Sequence, residues 1–149
     1  MKAAHPMYGR TKLKIIKSVE VELVWPTEEK PTIGKASPIE IVLRTKEPLY
    51  CQYFLFELFN ERTDKRAPMD RITSRSHYLY RFNVEKPLDP NGENKYKFAL
   101  RVPVHKEPSR NDKFICIKWQ YTVQAILKHS PDDKESVAAQ TILTDFEVV

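Results

Sequence analysis

From Phe114 to Leu127 the chain alternates, with the apolar Phe114 and Ile126 as exceptions at its two ends. Ile115, Ile117, Trp119, Tyr121, Val123, Ala125 and Leu127 share one parity, and Cys116, Lys118, Gln120, Thr122 and Gln124 share the other. A period of two places every one of those apolar side chains on one face of an extended strand. A helix, at about 3.6 residues per turn, would scatter them around its axis. The segment is therefore read as a strand that needs an apolar layer opposite it.

The same alternation recurs, carried by the β-branched and aromatic residues that suit strands. In Lys12–Trp25 the inward set is Leu13, Ile15, Val19, Val21, Leu23 and Trp25, with Glu20 and Glu22 opposite and Pro26 closing the strand. Pro38–Thr45 turns Ile39, Ile41 and Leu43 inward, and Glu40 and Arg44 outward. Tyr50–Asn60 is apolar on both faces, Phe54, Phe56 and Leu58 against Tyr53, Leu55 and Phe59. That predicts a central strand covered twice, or one face of a partner site. His77–Val84 and Tyr96–Val104 follow, separated by Asp89-Pro90-Asn91-Gly92, strong chain-reversing chemistry. Ser136–Val149 closes the chain as a last strand carrying Ile142, Thr144, Phe146 and Val148 in one parity.

About seven antiparallel strands and no segment of helical period predict an all-β fold, an immunoglobulin-like β-sandwich. A chain of 149 residues suits one domain, divided here into a flexible N-terminal segment, residues 1–11, and a sandwich over residues 12–149. Eleven prolines against three glycines fit proline-edged strands and not a glycine-rich phosphate loop.

Residues suited to catalysis do not assemble along the chain. His5, His77, His105 and His129 are scattered, and neither they nor Cys51 and Cys116 have metal-ligand spacing. Asp132 and Asp133 sit in a Ser-Pro-Asp-Asp-Lys loop without the spacing of a calcium site and read as a solvated turn. Nucleophile-elbow, Walker and kinase signatures are all missing. The expectation is a binding protein, not an enzyme, with no cofactor and no metal.

Glu61–His77 is the least ordinary stretch, read as a long loop carrying Arg62, Lys65, Arg66, Arg71 and Arg75. Loops of that length are often functional, and guanidinium forks suit phosphate or carboxylate. These five residues are the candidate partner- or anion-binding set. Against them stands a mobile solvated loop partly balanced by Glu61, Asp64 and Asp70. Arg10, Lys12, Lys14 and Lys17 extend the patch if the fold brings them near. A net charge of +5 eases approach to nucleic acid, anionic lipid or an acidic partner, although a moderate excess usually serves solubility. With two cysteines, no glycosylation sequon, no secretory apolar leader and no membrane-length apolar run, the chain is expected to be cytoplasmic, with the nucleus as alternative.

Several of these strands resemble the N-terminal domain of arrestins, especially the α-arrestin or thioredoxin-interacting branch. LKIIKSVEVEL (13–23) resembles that family's opening strand and PIEIVL (38–43) its second. NKYKFALRVPV (94–104) resembles its F-x-F-x-hydrophobic-P strand, IKWQYTVQAIL (117–127) its I-R-Y-x-V-K-A-x-L strand, and TDFEVV (144–149) the way the domain ends. The order is right and the pieces span nearly the whole chain. Departures lie at Pro31–Ser37, where the family has a P-G-E turn, at Ser109–Asp112, where it has S-F-x-G, and through Cys51–Lys86. The resemblance implies an adaptor for protein partners, membrane-protein tails or trafficking machinery, binding by strand addition or in a groove. Two other readings stand beside it. One is a nucleic-acid-binding sandwich of Rel or p53 type using the basic 61–77 loop, with Ile41–Pro48 similar to a stretch of the Rel domain. The other is a viral structural or matrix-like protein.

Overall fold

The alternating segment is the backbone of the larger of two sheets. In the computed structural model, which describes residues 14–66 and 71–149, ten strands form in chain order. They are β1 (Lys14–Ile15), β2 (Val19–Val24), β3 (Ala36–Thr45), β4 (Tyr50–Asp64), β5 (Arg71–Pro87), β6 (Glu93–Arg101), β7 (Arg110–Asn111), β8 (Ile115–Lys128), β9 (Val137–Gln140) and β10 (Thr144–Phe146). Among the described residues there is no helix, and hence none long and apolar enough to cross a membrane. The large sheet runs β1-β9-β8-β4-β5, with β7 and β10 also on β8; the small sheet runs β2-β3-β6.

One side of β8 pairs with β4 along its whole length, from Tyr50↔Lys128 to Asp64↔Ile115. The other side is covered piecewise, by β7 at Cys116–Ile117, β10 at Trp119–Tyr121 and β9 at Gln124–Leu127. Its apolar face is the floor of the core: Trp119 is 1% exposed and Val123, Ala125 and Leu127 are wholly buried. Burying one large side chain of this kind is worth roughly 1.5–3 kcal/mol. Ile39, Ile41, Leu43 and Leu100 of the small sheet close over it. Aromatic rings tie the layers at two places. Phe82 of β5 stacks on Phe98 of β6 at 4.5 Å, and Trp25, just past β2, stacks on Phe146 of β10 at 5.5 Å.

β4 keeps Phe54, Phe56 and Leu58 in this core although Cys51, of the opposite parity, is buried there too. An irregularity at Gln52 makes the change: Cys51 pairs with Lys86 and Tyr53 with Asn83, so Val84 and Glu85 together oppose Gln52. At this bulge Glu85 takes a left-handed φ of 52°, uncommon for a residue with a Cβ. The turn before β3 needs the same conformation and uses Gly34, at φ 76°, with Lys35 N donating to Thr32 O at 3.1 Å.

The all-β sandwich is as expected; its strand divisions differ from the reading. Lys12–Trp25 is two strands in different sheets. β1 pairs with β9 in parallel, the exception to antiparallel pairing, and the chain then crosses to pair β2 with β3. The crossing changes parity, so Ile16 packs on the core while Ile15 is 45% exposed. Ser136–Val149 is likewise split: between Gln140↔Gln124 and Thr144↔Tyr121, the residues Thr141, Ile142 and Leu143 oppose only Thr122 and Val123. That bulge turns Ile142 out to 83% exposure while Val148, of the same parity, is wholly buried. Val104, read as the end of the Tyr96–Val104 strand, lies outside it and is exposed, because β6 ends at Arg101 and Pro103 follows. The Asp89–Gly92 turn reverses the chain as predicted, but between sheets: β5 lies in one and β6 in the other. Residues 1–11, read as a flexible segment, lie outside the described residues.

Candidate interaction surface

Glu61–His77 is not a long loop. β4 continues to Asp64 and β5 begins at Arg71, their ends paired, so only residues 65–70 join them. The result is a hairpin arm continuing the large sheet. Apolar alternation fails here because neither face of this part of β5 is buried: Arg71–Arg75 are all exposed. Backbone pairing holds the arm, β4 being hydrogen-bonded to β5 on one side and to β8 on the other.

The five candidate residues take different positions on this arm. Arg62, in β4, lies on the face that continues the core side and donates through Nη1 to Glu107. The carbonyl of Glu107 in turn accepts the indole N–H of Trp119 at 3.0 Å, which ties the arm's cation to the core. Lys65 pins the end of β4 to the turn before β8: its N donates to Phe114 O at 2.8 Å, and its Nζ to Asn111 Oδ1 at 2.5 Å and Asp112 O at 3.1 Å. Arg66 folds back on Asp64, giving it three hydrogen bonds of 2.9–3.0 Å from its N, Nε and Nη2. These bonds hold the Asp64 carboxyl down at about 2. Arg71 sits opposite Asp64 in the ladder and is exposed. Arg75 lies on the opposite face from Arg62, its Nε donating to Glu61 Oε2 at 3.1 Å.

The set is therefore split. Arg62 ties the arm to Glu107, ahead of β7, and Lys65 ties it to Asn111 and the β7–β8 turn; Arg66 is held by Asp64; Arg71 and Arg75 belong to the sheet's last strand. Lys14 and Lys17 do not extend the patch, because β1 lies at the opposite edge of the sheet and joins β9 beside the far end of β8. Arg10 and Lys12 lie outside the described residues, as does Asp70.

Strand parity reveals residues that the loop reading missed. With Tyr78, Tyr80 and Phe82 packed inward, Arg75, His77, Leu79 and Arg81 form one outward row on β5. His77 stacks on Phe59 at 4.7 Å with Glu57 3.4 Å away, and the Arg81 guanidinium lies 3.7 Å over the Tyr53 ring while donating to Asn83. Leu79 is 43% exposed among them.

Other candidates resolve into structural features. Asp112 caps the turn before β8 by accepting from Phe114 N at 2.8 Å, Ile115 N at 2.9 Å and Arg110 Nε at 2.5 Å, and its carboxyl is held at about 2, chiefly by the two backbone bonds. Asp133 closes its turn onto Ser130, accepting from Ser130 N at 3.2 Å. Cys51 and Cys116 are free thiols near opposite ends of the β4–β8 ladder, opposite Leu127 and Thr63 respectively. Burial pushes the Cys51 thiol up to about 12. Among the described residues no three His, Cys, Asp or Glu side chains converge to hold a metal.

No protein-family model matches this chain, and no curated protein sequence does. Among solved structures it is similar to the sporulation control protein Spo0M of Bacillus subtilis, with a TM-score of 0.58 at 11% identity over 89% of this chain. The match covers 50% of Spo0M, so the chain spans half the length of that protein. At that identity the likeness speaks to the fold alone, and the fold is an arrestin-like β-sandwich.

Proposed function

We propose that this chain is a non-catalytic adaptor module that binds other proteins through the β4–β5 arm and its strand edges. On this reading it follows the α-arrestin or thioredoxin-interacting branch, with tails of membrane proteins or trafficking machinery as cargo. The observation that carries it is the arm itself: strands of 15 and 17 residues run on past the buried core and present cations there. Arms that bury little persist where they contact something else. The arrestin-like fold supports a binding role at the level of architecture. The free thiols of Cys51 and Cys116 support a reducing, cytoplasmic setting.

Nucleic acid is the competing ligand class for the same cations. Glu61, Asp64 and Glu107 already sit against Arg75, Arg66 and Arg62, lowering the arm's net positive charge and with it the counterion release that drives phosphate binding. The test combines two measurements on the full chain. Partners captured from a cytoplasmic extract are identified, purified and titrated by calorimetry against wild type and Arg66→Glu plus Arg71→Glu; duplex DNA is titrated across salt. A stoichiometric protein complex without DNA affinity is expected. DNA binding with a steep salt slope, and no protein complex, would overturn the adaptor reading.

A further inference from the structure

β5 is the end strand of the large sheet, and among the described residues β4 alone pairs with it. Between the irregularities beside Thr73 and at Val84–Glu85 the ladder runs unbroken from Ser74 to Asn83, a span of about 33 Å at 3.3 Å per residue. In such a ladder roughly half of the strand's N–H and C=O groups point away from the partner. The other edges offer less. β1 has two residues; β2, with six, lies beside a groove shared with Gln140–Ile142; and Arg101 of β6 already receives the Tyr80 hydroxyl on its carbonyl at 2.8 Å.

Open edges are normally blocked by proline, by bulges or by charge. The Ser74–Asn83 run contains no proline and its irregularities lie only at its ends. Charge is the device left, and its sign is uniform over the run: Arg75 and Arg81 within it, Arg71 before it, Lys86 after it, against the single carboxylate Glu85, a formal +3. A charge of one sign repels a second copy of the same edge and admits its opposite. The carboxylates of β4, Glu57 and Glu61, lie one strand further away. An incoming strand would be about 4.8 Å from β5 and nearly 10 Å from β4, close to a Debye length at ordinary salt. Tyr78, Tyr80 and Phe82 anchor the strand on the core, so little ordering is lost on docking.

We infer that the outer edge of β5 accepts an extended acidic segment of a partner protein as an added strand. The inference rests on the adaptor reading and names its partner chemistry. Main-chain hydrogen bonds to Ser74–Asn83 supply the sequence-independent part of the binding. The outward row sets the specificity: a carboxylate beside Arg81, an apolar residue beside Leu79 two positions on, and a second carboxylate beside Arg75 four further. Arg75 leaves Glu61 for the incoming carboxylate at small cost, since exposed pairs of this kind are worth about 0–1 kcal/mol.

The probe is a synthetic β-forming peptide of about 12 residues with glutamates and one valine at that spacing, and a second peptide with lysines in place of the glutamates. Full-length chain is titrated with each, and amide hydrogen exchange is followed strand by strand. The glutamate peptide is expected to bind and slow exchange in Ser74–Asn83, while Arg75→Glu plus Arg81→Glu weakens it about tenfold and confers binding of the lysine peptide. Both arginines are surface residues, and an unchanged thermal transition shows that the variant folds. Protection appearing in β6 or β1, no protection at all, or an unaltered preference after charge reversal would overturn the assignment. So would self-association that protects β5 without peptide. If the charge-reversed variant still holds the captured cellular partner, the adaptor reading stands and the β5 assignment falls; if no protein partner is captured but the peptide docks on β5, the converse holds.

Discussion

Replacing Gly34 by alanine should destabilise the fold by an amount set by two separable causes. Gly34 sits at φ 76°, where a Cβ costs roughly 1–2 kcal/mol. That Cβ would also lie 2.8 Å from Val104 Cγ1, inside any real contact. Val104 is 69% exposed and free to turn, so relief costs about 0.5–1.5 kcal/mol, the price of an off-rotamer side chain. Alanine recovers about 0.4–1 kcal/mol by stiffening the unfolded chain. The net expectation is a loss of about 0.5–3 kcal/mol, centred near 2, read as a lower urea midpoint at constant slope. Adding Val104→Ala to Gly34→Ala should restore only the contact part, about 1 kcal/mol, while Val104→Ala alone stays near neutral. A Gly34→Ala protein within about 0.5 kcal/mol of wild type, or one fully restored by Val104→Ala, would refute the left-handed turn as the origin of the loss.

Three further expectations follow from single residues. Asp64 and Asp112 should titrate at about 2, and because their folded values are depressed, their contribution is complete above the ordinary carboxylate value near 4 and is lost as pH falls toward 2; carboxyl carbon shifts with midpoints near 4 would contradict the bonds described. Alkylation of the native chain at about pH 8 should label Cys116 and spare Cys51, whose thiol stands at about 12 and is wholly buried; mass spectrometry of a digest finding Cys51 labelled first would overturn that. At position 85, glycine should be more stable than alanine by roughly 1 kcal/mol, since both remove the Tyr50 hydroxyl's acceptor and only the φ of 52° separates them; chemical denaturation giving equal stabilities would show that the bulge relaxes.

The strands were legible wherever burial on one face imposed a period of two. β8 and β3 match their readings to within a residue or two, because each is covered on the core side along its length. Legibility failed where pairing without burial holds a strand. Arg71–Arg75 pair with β4 while exposed, and the single apolar residue Ile72 marks no period, so the segment reads as a loop. It failed again where one period passes through a change of sheet: Lys14–Val24 keeps its alternating residues, yet Ile16 and Ser18 straddle a crossover that only the register with β9 and β3 reveals. The candidate cations were found by type and not by arrangement. Sequence supplies five basic residues; only the ladder shows that Arg62 and Arg75 face opposite ways and that Arg81 belongs with Arg75.

That regrouping changes what the basic stretch is for. In a mobile loop, five cations form one diffuse patch whose natural ligand is a polyanion. On a hairpin they separate into Arg62 and Lys65, which brace the arm against Glu107 and Asn111, Arg66, which is held by Asp64, and Arg71 and Arg75, which sit on the open-edged strand. The bracing set is committed to the fold, since the Glu107 that Arg62 holds also receives the indole of the buried Trp119. The edge set is not. Its charges sit on a strand whose position is fixed from behind by tyrosines and Phe82, and whose outward main-chain groups are spaced for another strand. On the proposed reading, cations so placed would discriminate among extended chains by charge, and that selectivity would separate a docking edge from an edge guarded merely against aggregation.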